Sequence, residues 1–484
     1  MSLKPPPTAG TVDETMAEKR FECDVAVIGG GIAGMVTAVR AAHAGRSVRV
    51  FEKSSDDRYL CNSRITAGVF HCALSSIRSE PQALEDKIIE VTDGTASPAL
   101  ARAVATDALR AVRWLQAQGI RFISGTESYH DFTLSPPTIT PQGRQWEGRG
   151  GDVLLRTLEA NLKRAGGSVE RGMSVRHLNV GEGRCLGLSG VDAAGAAFAV
   201  VAESIVIADG GFQADPDALR EAITPAPEKI FQRNARSGTG DGLRMARAAG
   251  AAISDLQGFY GHLLSIDAFH NETLWPYGWL DFVAAAGILV GRDGVRFCDE
   301  GLGGVHMANR IAALEDPLSC FVIADHTIWE TRGRFNLLPP NPRLLEAGGS
   351  VFKAHTLPEL AAAAGIDADG LVAQIARYNE AVTNSSTQGL DPVRSANKFA
   401  PHPIVDAQYY AFPVCAGITY TMGGIAIDDR SRVLDTKGNA IAGLYAVGAT
   451  TGGLEGGART GYVGGLIKSA VTGLRAAETI AASA

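Results

Sequence analysis

The stretch Val25-Ala-Val-Ile-Gly-Gly-Gly-Ile-Ala-Gly-Met35 constrains the fold of this chain more than any other. Asp24 to Ile28 reads as a buried strand, because Val25, Val27 and Ile28 are β-formers in a short apolar run. Gly29, Gly31 and Gly34 then follow with G-x-G-x-x-G spacing. The first permits a tight turn, the second lets the backbone approach a pyrophosphate, and the third lets the helix pack closely on the strand. Ile32 to Ala44 reads as that helix, whose N-terminus offers unpaired N–H groups to phosphate. Ser47 to Phe51 reads as the next strand, and Glu52 falls near the ~20-residue spacing at which an acid meets ribose hydroxyls. A lone glycine motif is weak evidence; strand, helix, second strand and acid in register are strong. The expected fold class is therefore α/β, built on a Rossmann-like dinucleotide-binding domain.

With 484 residues the chain has room for two domains or more. Its net charge of −7 gives no reason to expect nucleic acid or an acidic membrane as a partner. The seven cysteines (Cys23, Cys61, Cys72, Cys185, Cys298, Cys320, Cys415) form no C-x-x-C pair. That pattern argues against a disulfide framework, a metal or cluster site and a haem attachment, and for reduced thiols in a cytoplasm. Residues 1–20 are polar, carry Pro5-Pro-Pro7 and lack an apolar core, as a disordered tail does and a signal peptide does not. The longest apolar runs, such as Val283 to Val290, are too short to span a bilayer.

Small and hydroxylated residues in Cys61-Asn-Ser-Arg-Ile-Thr-Ala-Gly68 suit a segment lying against a flat ring, although an ordinary loop reads the same way. Residues 82–118 carry the periodicity of two helices, and 124–150 reads as a long loop. Ser204 to Phe212 is again a buried strand running into glycines. Gly238-Thr-Gly-Asp-Gly242 opens a helix, where Asp241 either serves a ligand or caps the helix. From about Ala252 to Phe412 the style changes, with the aromatics Phe259, Tyr260, Trp275, Tyr277, Trp279 and Phe282 clustered. From 413 the glycine-rich style returns, ending in an Ala-rich helix from Leu466 to Ala482. The expected division is a first nucleotide-binding part at 21–251, an inserted α+β substrate cap at 252–412 and a second nucleotide-binding part at 413–484.

In this order the motifs resemble the fumarate reductase/succinate dehydrogenase flavoprotein superfamily, especially its soluble members: tricarballylate dehydrogenase-like enzymes, flavocytochrome fumarate reductases and ketosteroid dehydrogenases. The resemblance rests on Gly29–Gly34 with Glu52, Asn62–Gly68, Ala208-Asp-Gly-Gly-Phe212, Gly240–Ala246, Gly287 to Glu300 with Arg296-Phe297, Thr421-Met-Gly-Gly424 and Gly443–Gly448. It implies FAD clamped beneath a cap, hydride transfer between flavin N5 and a carbon β to a carbonyl or carboxylate, and a side chain that moves the α proton. The implied cofactor residues are Gly29, Gly31, Ile32, Ala33, Gly34, Glu52, Lys53, Asn62, Ser63, Thr66, Ala67, Gly68, Ala208, Gly210, Gly211, Asp241, Gly448, Gly465, Leu466 and Ile467. Asn62 stands where covalent members have histidine, which implies non-covalent FAD. Ala449 stands where a glutamate is usual.

Departures around the substrate carry more information. The position of the fumarate reductase proton-donating arginine is Gly304, that of a substrate histidine is Tyr420, and that of a second arginine is Tyr462. Tyrosines in place of cations suit a ketone or mono-acid, since tyrosinate can act as base and a tyrosine hydroxyl can hold an enolate. Tyr462 or Tyr420 is then the base, its pKa lowered by Arg459, unless either merely packs against the ring. Arg459 and His262 are candidates for a substrate carboxylate, or for structural roles, and His306 is a stand-in proton donor. The expectation is an FAD-dependent dehydrogenase (desaturase) of a small keto or carboxylic acid, with an unknown electron acceptor. Its rivals are a fumarate reductase-like enoate reductase running the reverse reaction, and a flavin-binding protein without turnover.

Overall fold

The computed structural model describes residues 19–125, 127–138, 146–181, 183–274, 280–335, 339–396 and 398–483. Residues 1–18 of the expected tail and the aromatics at 275, 277 and 279 lie outside them, whereas Lys19 and Arg20, expected in the tail, begin the first strand. The first part of the chain contributes β1 (Lys19–Ile28), β2 (Val48–Glu52), a small hairpin of β3 (Phe122–Ile123) and β4 (Thr133–Leu134), then β5 (Ser168–Arg171), β6 (Met173–Gly181), β7 (Arg184–Asp192) and β8 (Ala197–Ile207). The middle contributes β9 (Phe231–Gln232), β10 (Phe259–Ser265), β11 (Ile288–Val290), β12 (Cys320–Asp325), β13 (Phe352–Ala354) and β14 (Tyr409–Thr421). The end contributes β15 (Arg432–Leu434) and β16 (Ala440–Ala446).

Eight of these strands form one sheet in the order β15-β16-β7-β8-β1-β2-β5, with β6 against β7. The run β5-β2-β1-β8-β16 is parallel throughout. Its apolar runs explain why: Val25, Val27, Val50, Ile205, Val206 and Ile207 are fully buried, as strands covered on both faces require. Phe51 stacks on Phe198 at 5.8 Å with Phe21 edge-on to both, tying β2, β8 and β1 together. The first helix, Ile32–His43, packs against the C-terminal helix, Gly465–Ala482. Gly473 allows the approach: a Cβ there would lie 2.8 Å from the Ala33 carbonyl oxygen. Both ends of the chain thus build one unit, with β16 completing the sheet beside β8.

The second sheet is mixed, ordered β10-β14-β12-β11, with β13 and β9 also on β14. The 13-residue β14 is its spine and is almost wholly buried. Its end is pinned to the first unit. Phe212 N donates to Thr421 Oγ1 at 3.2 Å, and Asn62 Nδ2 donates to the Thr419 carbonyl at 2.8 Å. Behind the sheet, Arg296 is buried and donates to Glu300 at 2.9 Å, with Arg394 3.8 Å away. The Arg-Phe motif of the sequence is therefore a structural ion cluster. Such a pair organises its surroundings, and removing one partner would strand a buried charge.

Candidate active site

A cleft of about 1140 Å³ runs from the carboxyl ends of β1, β2 and β8 to the face of the second sheet. Its floor is the glycine-rich cradle. Gly29 adopts φ +100°, and its amide donates to the Phe51 carbonyl at 2.9 Å. Glu52 accepts from Gly30 N through Oε2 and from Ser54 N through Oε1, both at 3.0 Å, so its carboxylate is held at the strand end. The first helix begins at Gly31, which has no side chain to cap it. Ser63 Oγ accepts from Ile32 N at 3.0 Å instead. A Cβ on Gly31 would meet only Ser63 Oγ, at 3.5 Å, so any larger side chain would extend into the cleft. A Cβ on Gly34 would lie 2.2 Å from the Gly29 carbonyl oxygen, so that glycine serves strand–helix packing.

Most of the sequence-derived cofactor residues line this cleft: Gly29, Gly31, Ile32, Ala33, Glu52, Lys53, Asn62, Ser63, Thr66 to Gly68, Ala208, Gly210, Gly211, Asp241, Gly465 and Leu466. Gly34, Gly448 and Ile467 do not line it and act from behind. Gly448, at φ +73°, passes so close to Ala33 that a Cβ would come within 2.7 Å of the Ala33 Cβ. Asn62 spends both ends of its amide on the protein, accepting from Ala235 N at 2.9 Å besides donating to Thr419. Lys53 Nζ bridges Thr239 Oγ1 at 2.8 Å and Asp241 at 3.3 Å.

These residues fit FAD. Two helix N-termini whose cap residues are glycines, Gly31 and Gly464, begin beside the cleft, and such termini favour phosphate and carbonyl oxygens. Four buried side-chain atoms of cleft-lining residues lack a partner among the described residues: Asp209 Oδ1, Gln213 Oε1, Thr138 Oγ1 and, on the cap side, Ser395 Oγ. Buried polar atoms of this kind are normally satisfied, and the hydroxyls of a ribityl or ribose would do so. Burial pushes the Asp209 carboxyl up to about 6, with Asp241 adding to the effect and the Gly242 amide opposing it.

Above the cradle, three tyrosines line one wall: Tyr260 from β10, Tyr420 from β14 and Tyr462 from the glycine-rich turn. Tyr260 and Tyr462 stack at 3.9 Å with 14° between their planes, and Tyr420 lies 5.5 Å from Tyr260. Burial raises the pKa of all three. The nearby hydroxyl of Tyr462 favours ionisation of Tyr260, and Tyr260 opposes that of Tyr462. The Tyr420 hydroxyl donates to Glu455 Oε1 at 2.9 Å. That carboxylate also accepts from Val463 N at 3.0 Å and lies 3.4 Å from the buried Lys468 Nζ. Tyr420 is thereby committed as a donor to an anion, which makes it a poor base.

Several sequence expectations need correction. Arg459 lines the cleft but is paired with Asp93 at 3.0 Å, with its side chain 55% exposed. It does not lower a tyrosine pKa; after burial, the leading charge on Tyr260 is Arg233, with Asp281 and Glu455 opposing ionisation. His262 lines the cleft, yet both its ring nitrogens face protein groups: Nδ1 meets Asp281 Oδ2 at 2.5 Å and Nε2 meets the Tyr260 hydroxyl at 2.9 Å. It orients neighbours and has no nitrogen left for a carboxylate. His306 lies behind the wall, because the phase of the Gly304–Ala312 helix turns it inward with Met307 and Ala308. Burial, and then Arg310, push its pKa down to about 4. Gly304 admits no side chain, since a Cβ there would lie 2.2 Å from the Asp281 carboxyl carbon.

The sequence reading missed Arg233, Glu455, Lys468, Asp281 and the buried, cleft-lining His71, whose ring lies 5.3 Å from that of Tyr462. Burial pushes His71 down to about 4, so it is neutral at physiological pH.

Fold and cleft together define a two-unit flavoprotein in which a second sheet covers a dinucleotide cradle. The chain matches the FAD binding domain family over residues 24–464 and belongs to it, within the fumarate reductase/succinate dehydrogenase flavoprotein superfamily. It is 25% identical to a fumarate reductase (cytochrome) of Shewanella frigidimarina, over 90% of this chain and 73% of that one. It is 27% identical to 4-oxocyclohexanecarboxylate 2-dehydrogenase of Sinomonas cyclohexanicum, over 89% of this chain and 88% of that one. Among solved structures it shares the fold of the 3-ketosteroid-Δ4-(5α)-dehydrogenase of Rhodococcus jostii RHA1, with TM-score 0.72 and 21% identity over 98% and 99% of the two chains. The chain is an FAD-dependent oxidoreductase acting on CH–CH groups. Among the described residues no helix is long and apolar enough to cross a membrane.

Proposed function

We propose that the chain desaturates a small cyclic keto acid between the carbons α and β to its carbonyl, using non-covalently bound FAD. The observation that carries this reading is the tyrosine wall facing the cradle across one continuous cleft. Hydroxyl groups suit a ketone oxygen, whose charge grows as the α carbon loses its proton. When bound, FAD supplies the two-electron oxidant that accepts the hydride from carbon β. The Tyr462 hydroxyl stands beside the N-terminus of the C-terminal helix, where the Gly465 amide favours negative charge on it. In this reading it holds the carbonyl oxygen as enolate character develops. Arg233, anchored by its Nη1 to Thr419 Oγ1 at 2.6 Å, is the cation beside Tyr260 and takes the substrate carboxylate. Arg459, exposed and paired with Asp93, has no part in holding the substrate in this reading.

The relative that acts on 4-oxocyclohexanecarboxylate supports the substrate class. The reverse reading loses His306 as its proton donor, because His306 is buried and does not line the cleft, and is left with a tyrosine as its acid. Asn62, held at both ends of its amide, supports the non-covalent attachment. Anaerobic mixing of oxidised holoenzyme with 4-oxocyclohexanecarboxylate tests the reading: loss of the yellow absorbance is expected. No bleaching by this keto acid, together with recolouring of photoreduced enzyme by fumarate, would reverse it.

A further inference from the structure

Three side chains from two separate segments form a hydrogen-bonded line that ends at the cleft. Tyr260 and His262 alternate on β10, two residues apart, so their side chains share one face. Asp281 begins the short helix Asp281–Ala286 and meets that face from the other side. Its two oxygens have separate tasks. Oδ1 accepts from the Leu263 amide at 2.9 Å, which fixes the carboxylate, and Oδ2 faces His262 Nδ1. In the neutral imidazole an acceptor at Nδ1 places the ring proton there, which leaves Nε2, 2.9 Å from the Tyr260 oxygen, to accept from that hydroxyl. Gly304 makes room for the carboxylate, as its missing side chain would occupy the space of the Asp281 carboxyl. Tyr462 flanks the line by stacking on Tyr260.

We propose that Tyr260 is the group that takes the α proton of the substrate, made basic by transfer of its own proton to His262, with Asp281 positioning the imidazole. The proposal rests on the desaturase reading above. The α C–H bond breaks, its proton passes to the Tyr260 oxygen, and its electron pair enters the new double bond as the hydride leaves carbon β for the flavin oxidant. The former hydroxyl proton of Tyr260 resides on His262 Nε2, and the resulting imidazolium faces the Asp281 carboxylate. The line Tyr260–His262–Asp281 begins with the single negative charge of Asp281 and, having gained the substrate proton, ends with no net charge, as the flavin oxidant gains the charge of the hydride.

Charges from every packed element bear on the step. Arg233, just after β9, favours the phenolate of Tyr260, while Asp281 and Glu455 oppose it. Tyr462 and Tyr420 flank it from the glycine-rich turn and β14, and Tyr129 faces it from the loop before β4. Of the three wall tyrosines, Tyr420 and Tyr462 are driven well above the ordinary phenol range, whereas Tyr260 is raised less. The Tyr420 hydroxyl donates to Glu455, a carboxylate already engaged by the Val463 amide and Lys468, whereas the Tyr260 hydroxyl faces the imidazole of His262.

The test is proton exchange without oxidation. Dithionite-reduced, FAD-replete holoenzyme in D₂O is given 4-oxocyclohexanecarboxylate, and deuterium at the carbons beside the ketone is followed by NMR. Tyr260→Phe is expected to lower exchange on the order of 10²–10⁴-fold, the usual range for loss of a general base. Tyr420→Phe is expected to exchange within about tenfold of wild type, and Tyr462→Phe to fall between the two. Wild-type exchange in Tyr260→Phe, or its loss in Tyr462→Phe with Tyr260→Phe intact, overturns the proposal. Histidine ¹⁵N NMR of the oxidised holoenzyme tests the line without any substrate. His262, assigned by its absence in His262→Gln, is expected to show a protonated Nδ1 and a bare Nε2, reversed in Asp281→Asn. A protonated Nε2 in the wild type overturns the proposal. If wild type neither exchanges nor bleaches with the keto acid, the substrate reading fails, and the nitrogen spectrum still decides whether Tyr260 has a base.

Discussion

The floor of the cleft and its wall are built on opposite principles. The floor is made mostly of backbone: glycines at 29, 30, 31, 210 and 211, two helix starts, and the carboxylates of Glu52 (gripped by amides), Asp209 and Asp241. The wall is made of side chains from β10, β14, the Asp281 helix and the glycine-rich turn, held by hydrogen bonds and two acids, the half-buried Asp281 and the buried Glu455. A backbone floor recognises phosphate and ribose through spacing alone. A side-chain wall sets the positions of protons, which requires groups that neighbours can orient and charge. The binding function is therefore local in the chain, and the proton chemistry is distributed.

The contrast can be broken most severely in the floor. Gly34→Val is expected to abolish soluble folded protein, because its Cβ would sit 2.2 Å from the Gly29 carbonyl oxygen. Gly31→Val is expected to keep the circular dichroism of the wild-type apoprotein yet retain no FAD after gel filtration, since its side chain meets only Ser63 and the cleft. A flavin-replete Gly31→Val would show that the cradle does not hold the pyrophosphate there. In the wall, Lys468→Met leaves Glu455 buried beside Tyr420 without its cation. A loss of about 3–5 kcal/mol in urea unfolding is expected, as for other buried pairs cut on one side. A change below about 1 kcal/mol would mean that the pair is already compensated.

A smaller effect separates floor from wall by pH. Asp209 sits in the floor with its pKa raised to about 6 by burial, against an ordinary value near 4 when unfolded. Between those values the native apoprotein binds more protons than the unfolded chain, so this residue's contribution to stability falls as pH rises from about 4 to 6. Asp209→Asn is expected to remove that slope from the difference between variant and wild type in thermal melts. An unchanged slope would place the titration elsewhere. Smallest of all, Arg459→Ala is expected to change stability by no more than about 1 kcal/mol, the range for an exposed pair. It is also expected to leave FAD content and the KM for 4-oxocyclohexanecarboxylate near wild type. A large rise in KM would return the carboxylate to Arg459 from Arg233.

The same contrast explains what could be read in the sequence. The first strand, its glycine turn, its helix and Glu52 follow each other along the chain, so spacing and periodicity reveal them. That β16 would close the sheet beside β8 is a long-range pairing with no local signature. Glu455 and Lys468 are visible as residues, but only the fold shows that both are buried and paired. His306 was misplaced because its role depended on the phase of a helix, which turns it inward. Tyr260 and His262 carried a usable signal, two polar rings at strand spacing. Their partner Asp281 arrives from another segment, and without it neither the tautomer nor the direction of the hydrogen bond is defined.

The central claim is that oxidised FAD above this cradle takes electrons from a saturated keto acid whose α proton goes to Tyr260. The direct measurement is the anaerobic single-turnover rate of flavin bleaching by 4-oxocyclohexanecarboxylate in wild type and in Tyr260→Phe, both FAD-replete. The account predicts bleaching in the wild type and a rate lower on the order of 10²–10⁴-fold in the variant. Equal rates in the two proteins would contradict the assignment of Tyr260, and a wild type that stays yellow would contradict the direction of the reaction itself.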